Sequence, residues 1–144
     1  MRNTIIIAII SLLLIACKKD KFSTAPQIKY KSVNTTVLDK FQVLSFTLSF
    51  TDLEGDVDSI YLEKVTQNCM GSNFKDSLRL PVFPSAKKQE GEIFVSYGYR
   101  ADGYPSIQEP VCAFNDTCYF RFSLKDSKGN RSDTTQSDNI VILK

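Results

Sequence analysis

The chain contains no histidine and no tryptophan. Without imidazole there is no Ser-His-Asp or Cys-His nucleophile pair and no His-ligated zinc or iron site. Glycine and proline are sparse, 6 and 5 in 144 residues, which rules out collagen-like and low-complexity chains. Neither sign of charge dominates: 18 basic residues stand against 16 acidic ones, a net charge of +2. That balance builds no polyanion-binding surface, so no nucleic-acid partner is expected. No segment shows a 3.6-residue apolar period, and no apolar run reaches the ~20 residues that span a bilayer as a helix. What remains is 42% hydrophobic, enough for one packed domain and, at this length, too small for a multi-domain enzyme.

The first segment reads Met-Arg-Asn-Thr followed by Ile5 to Ile15, apolar apart from Ser11. A short basic start and an apolar stretch of this size fit the h-region of a signal peptide. Lys18, Lys19, Asp20 and Lys21 follow at once, which argues against a buried helix. Leu14-Ile15-Ala16-Cys17 resembles the lipobox of bacterial lipoproteins. The resemblance implies that Cys17 receives a diacylglycerol on sulfur, that cleavage precedes it, and that its new amine is acylated. The implied divisions are a signal peptide over 1–16, a lipidated cysteine and tether over 17–25, and a folded domain over 26–144. Two or three acyl chains, each buried CH₂ contributing ~0.8 kcal/mol, form a stable anchor. Loss of residues 1–16 removes Arg2 and no acid, leaving 17 basic against 16 acidic residues. Lys18 rather than an acid after the cysteine resembles outer-membrane sorting, and the Cys-Lys-Lys-Asp start resembles lipoproteins of the Bacteroidetes. The implied location is the outer membrane, facing either the periplasm or the exterior.

From Pro26 onward the pattern is strands. Phe41 to Phe50 is the clearest: Leu44, Phe46, Leu48 and Phe50 alternate with Ser45, Thr47 and Ser49, which is period 2 with one buried face. Further strands are expected over Gln27–Val33, Ser59–Thr66, Ser77–Phe83, Glu92–Tyr99, Thr117–Leu124 and Asn139–Leu143. Turn-forming clusters separate them, including Asp52 to Asp56 and Asp126 to Asn130. The expectation is all-β: an antiparallel seven-stranded β-sandwich after a cleaved N-terminal signal helix. The stretch from Leu124 to Ser132 resembles the last hairpin of immunoglobulin-like and fibronectin-type-III-like domains, and Phe50 to Asp56 resembles a turn of small Bacteroidetes lipoproteins. Both imply an immunoglobulin-like fold.

With Cys17 consumed, Cys69, Cys112 and Cys118 remain in an oxidising envelope. Three thiols allow one disulfide. The short spacing favours Cys112 with Cys118, a closure contributing on the order of 2 kcal/mol; Cys69 is the alternative partner for either. No catalytic residue is expected, since a reactive thiol needs a base or cation to lower its pKa.

Asp52, Glu54, Asp56 and Asp58 alternate around Gly55. Hard oxygens at this spacing suit Ca²⁺, with Asp126 as a further ligand. The EF-hand loop does not fit: it needs Gly at its sixth position and Glu at its twelfth, whereas the twelfth residue from Asp52 is Glu63, within an expected strand. The competing reading is a solvated acidic turn. Ser59, Ser77 and Thr134 follow an aspartate in a pattern resembling Bacteroidetes O-glycosylation sites. Tyr97, Tyr99 and Tyr104 lie near Arg100 and serve either the core or a stacking surface.

Together these features point to a lipid-anchored, non-enzymatic binding or structural module for a protein or glycan partner, without an obligatory cofactor. A Ca²⁺-stabilised adhesion module is the alternative, and an envelope enzyme accessory using carboxylates or Cys69 a weaker one.

Overall fold

The structure, a computed structural model, describes residues 22–82 and 87–144. The expected signal helix, Cys17 and most of the tether lie outside them. The described residues contain no helix and nine strands: β1 (Gln27–Val33), β2 (Val37–Leu38), β3 (Gln42–Asp52), β4 (Val57–Thr66), β5 (Phe74–Arg79), β6 (Gln89–Tyr99), β7 (Asp116–Asp126), β8 (Thr135–Gln136) and β9 (Ile140–Ile142).

The strands form two sheets. One is antiparallel, in the order β1-β3-β6; the other runs β2-β9-β7-β4-β5, with β8 also pairing β7. In this second sheet β2 joins β9 in parallel, and its remaining pairs are antiparallel. Alternation explains how the sheets meet. Leu44, Phe46, Leu48 and Phe50 all face inward from β3, and across the first sheet Phe46 pairs with Val95 and Leu48 with Ile93. From the second sheet β7 presents Cys118, Phe120, Phe122 and Leu124, all fully buried. The ring of Phe46 lies 4.8 Å from that of Phe120 and 5.0 Å from that of Phe122, centroid to centroid. These contacts join the two inward faces into one core, and a one-residue slip of either strand would turn its apolar row to solvent.

Each expected strand has a counterpart, with most ends moved by one to four residues. The strand expected over Ser77–Phe83 is shifted toward the N-terminus and ends at Arg79, where pairing with β4 at Ser59 stops; Val82, within the expected strand but beyond the observed one, is 98% exposed. Phe41 precedes β3 with φ 66° and an exposed ring rather than starting the strand. The two-residue strands β2 and β8 extend the expected set; both are too short to show a period and exist through their partners β9 and β7.

The long connection from β6 to β7 folds back on the end of β6. Gly98 donates to the Pro105 carbonyl and its own carbonyl accepts from Ile107, which is buried. A Cβ on Gly98 would sit 2.6 Å from the Ala101 carbonyl oxygen, so the return path needs glycine there.

Phe46→Ala should lower unfolding free energy by ~3–5 kcal/mol. Phe94→Ala, on the outward face of β6 and 69% exposed, should change it by less than about 0.5 kcal/mol. Urea denaturation checks both; equal losses would place the core elsewhere.

Candidate functional site

The inward row of β3 does not stop at Phe50. Two residues on, the same alternation carries Asp52 into the end of the core, where it is fully buried. Its Oδ2 accepts hydrogen bonds from the Gly55 and Asp56 amides at 2.6 and 2.9 Å. Gly55 adopts φ 72°, a left-handed conformation that glycine takes without steric cost, and the turn closes over the carboxylate. Asp56 Oδ2 accepts from the Ser127 hydroxyl at 2.7 Å, and the Ser127 amide donates to the Asp56 carbonyl. Lys128 Nζ stands 4.0 Å from Glu54 Oε1 and 3.9 Å from Asp56 Oδ2.

Asp52, Glu54 and Asp56 each bring one carboxylate oxygen within 4.8 Å of the others. One oxygen of each is buried and unpartnered: Asp52 Oδ1, Glu54 Oε2 and Asp56 Oδ1. A fourth buried acceptor without a donor is Gln89 Oε1, on the residue paired with Asp52 between β3 and β6. Burial raises the Asp52 carboxyl above its usual pKa, while the Asp56 and Gly55 amides pull it back.

Of the expected acidic ligands, the structure assembles three. Asp58 lies apart, on β4, 3.4 Å from Arg79 Nε. Asp126 is also buried, but both its oxygens are occupied by Asn130, one by its amide nitrogen and one by its side chain. Gln89 was not legible from sequence: it lies 37 positions beyond Asp52, and only strand register brings the two together. Lys128 belongs to a turn the sequence marked without indicating what it faces.

At the opposite end of β7 the cysteines correct an expectation. Cys69 pairs with Cys112, with Cα atoms 5.7 Å apart, and Cys118 is a buried free thiol. The favoured Cys112–Cys118 pairing fails because Cys118 belongs to the inward row of β7, with its Sγ against the Ile140 carbonyl. Cys112 lies instead in the loop that crosses the 69–72 turn. Burial pushes the Cys118 thiol up to about 12, Lys64 opposing this and Asp116 adding to it. Cys69, on which a redox reading would rest, is held in the disulfide.

Beneath that disulfide sits a buried ion pair. Lys64 Nζ lies 2.6 Å from Asp116 Oδ2, both side chains fully buried, in a contact without the angle of a directed hydrogen bond. Lys64 also donates to the Gln108 carbonyl at 3.1 Å, and Thr66 donates to Asp116 Oδ1. The Ser72 hydroxyl accepts from the Val111 amide. The loop from Arg100 to Asn115 is thereby fastened to β4 and to the 69–72 turn. Above it Met70, Val111 and Phe114 are exposed, Met70 at 92%. The two loops touch: a Cβ on Gly71 would lie 3.4 Å from Val111 Cγ2.

The tyrosines divide. Tyr97 and Tyr99 are core residues whose hydroxyls donate to Asp76 and to the Leu143 carbonyl, while Tyr104 is exposed. Ser59 is buried on β4, so the expected glycan position there is closed to an enzyme acting on the folded protein. Ser77 and Thr134 are exposed.

Native protein treated with iodoacetamide at pH 8 should leave Cys118 unmodified. After unfolding in urea without reductant, Cys118 should be the one labelled thiol among Cys69, Cys112 and Cys118. A linked peptide joining Cys112 to Cys118, or rapid native labelling of Cys118, would contradict this arrangement.

No family model and no curated protein matches the chain. Among solved structures, Spo0M, a sporulation control protein from Bacillus subtilis, is similar with 11% identity and a TM-score of 0.49, over 83% of this chain and 50% of that one. The chain therefore spans about half the length of that protein.

Proposed function

We propose that the chain is a lipid-anchored module of the bacterial cell envelope, held in the outer membrane through Cys17, with an immunoglobulin-like domain that binds a protein partner without catalysis. In this reading β1-β3-β6 correspond to strands A, B and E. The run β9-β7-β4-β5 corresponds to G, F, C and C′, with β2 as a short A′ segment beside G.

One observation carries the reading. The chain enters the domain at one pole and offers apolar side chains at the other. At the entering pole the Leu53 amide donates to the Ser23 carbonyl, and Gln27 of β1 pairs with Thr51 of β3. The opposite pole carries Met70, Val111 and Phe114. Strand β7 runs between the poles, from Asp116 to Asp126, ~33 Å at the rise of a strand. A tether leaving beside Ser23 would hold the apolar pole away from the membrane. Exposed apolar side chains on fastened loops suit a protein contact.

A Cys17→Ala variant expressed in a diderm bacterial host should fail to incorporate labelled palmitate and should leave the membrane fraction. Unchanged membrane association and labelling in the variant would overturn the anchor.

A further inference from the structure

We infer that the turn between β3 and β4 is a Ca²⁺ site, with Asp52, Glu54 and Asp56 as carboxylate ligands and the Gln89 amide oxygen as a fourth. The inference does not depend on the lipid anchor. It rests on two separate observations. The first is the cluster: three carboxylates with one oxygen each inside a 4.8 Å span. Oxygens bound to Ca²⁺ at about 2.4 Å lie no more than ~4.8 Å from one another, so the cluster is compact enough to share one ion, and Ca²⁺ accepts an irregular oxygen shell more readily than octahedral Mg²⁺ does.

The second observation is which of these side-chain oxygens lack a donor. Asp52 is wholly buried, and its Oδ2 is taken by two amides, yet its Oδ1 has no donor. Glu54 Oε2, Asp56 Oδ1 and Gln89 Oε1 share that condition. Four buried acceptors without a donor leave a local deficit of positive charge or protons. Lys128 does not remove it: it approaches Glu54 Oε1 and Asp56 Oδ2, the oxygens other than the unpartnered ones, and is itself 58% exposed. Asp126, equally buried, shows the contrast, because Asn130 occupies both its oxygens. A hard divalent cation supplies what the Asp52 group lacks.

The site also has a structural consequence. The Leu53 amide holds Ser23, and the Leu53 carbonyl accepts from the Lys88 amide. Cation binding at this turn would tie the incoming segment, β3, and the start of β6 to one point. With few protein ligands and partial exposure, the dissociation constant should fall in the 10⁻⁴–10⁻³ M range of extracellular modules.

The test uses the full chain in detergent micelles, stripped with EGTA and then titrated with Ca²⁺ alone. At 10 mM Ca²⁺ the melting temperature should rise on the order of 5 °C, and EGTA should reverse the rise. Mg²⁺ at the same concentration should give less than half of it. Glu54→Gln, on the rim of the turn, should keep the fold and lose most of the response; Gln89→Ala should weaken apparent affinity severalfold. Three outcomes would overturn the site: no shift in the unaltered protein, an equal shift with Mg²⁺, or a full Ca²⁺ response in folded Glu54→Gln.

Discussion

Two sheets that are apolar on one face each can remove that surface from water only against one another. The contact of Phe46 with Phe120 and Phe122 is where this happens, and the rest of the molecule is arranged around it. Phe74 extends the aromatic group, edge-on to Tyr97 and to Phe120. The outward residues of β3 and β6 are under no such constraint: Ser45 meets Ser96 through their hydroxyls, while Thr47 stands opposite Phe94.

The alternation that fills the core also forces charge into its ends. The inward row of β3 terminates in Asp52, that of β4 carries Lys64, and that of β7 begins at Asp116 and ends at Asp126. Each of these side chains is buried. A buried charge is tolerated when it is paired and hydrogen-bonded. Lys64 and Asp116 neutralise each other, with Thr66 and the Gln108 carbonyl completing their contacts. Asp126 is saturated by Asn130. Asp116 Oδ2 also lacks a directed donor but has the Lys64 ammonium against it, whereas Asp52 Oδ1 has neither donor nor cation and Asp52 has two further carboxylates beside it. The two poles thus differ in kind: one is closed by an ion pair under a disulfide, the other is left with surplus negative charge.

Much of this was legible in the sequence wherever the signal is local. The period-2 rows of β3, β6 and β7 identify strands and their inward faces because each strand carries its own alternation. The acidic turn is visible because its ligands are neighbours in the chain. What was illegible depends on register and on chain return. Gln89 joins Asp52 across two strands, and Cys69 meets Cys112 because the loop after β6 folds back over the 69–72 turn. Sequence spacing favoured Cys112 with Cys118, yet the pleat had already turned Cys118 inward. Ser59 fits a modification pattern of three residues, but that pattern carries no information about burial, and burial decides the position.

Native-state hydrogen exchange tests the shared core most directly. If the two sheets form one cooperative unit, the slowest amides should lie in both β3 and β7 and exchange with one common free energy, equal to that of global unfolding by denaturant. Protection confined to the second sheet, with β1, β3 and β6 opening together at a distinctly lower free energy, would contradict a core built on mutual burial of the two faces.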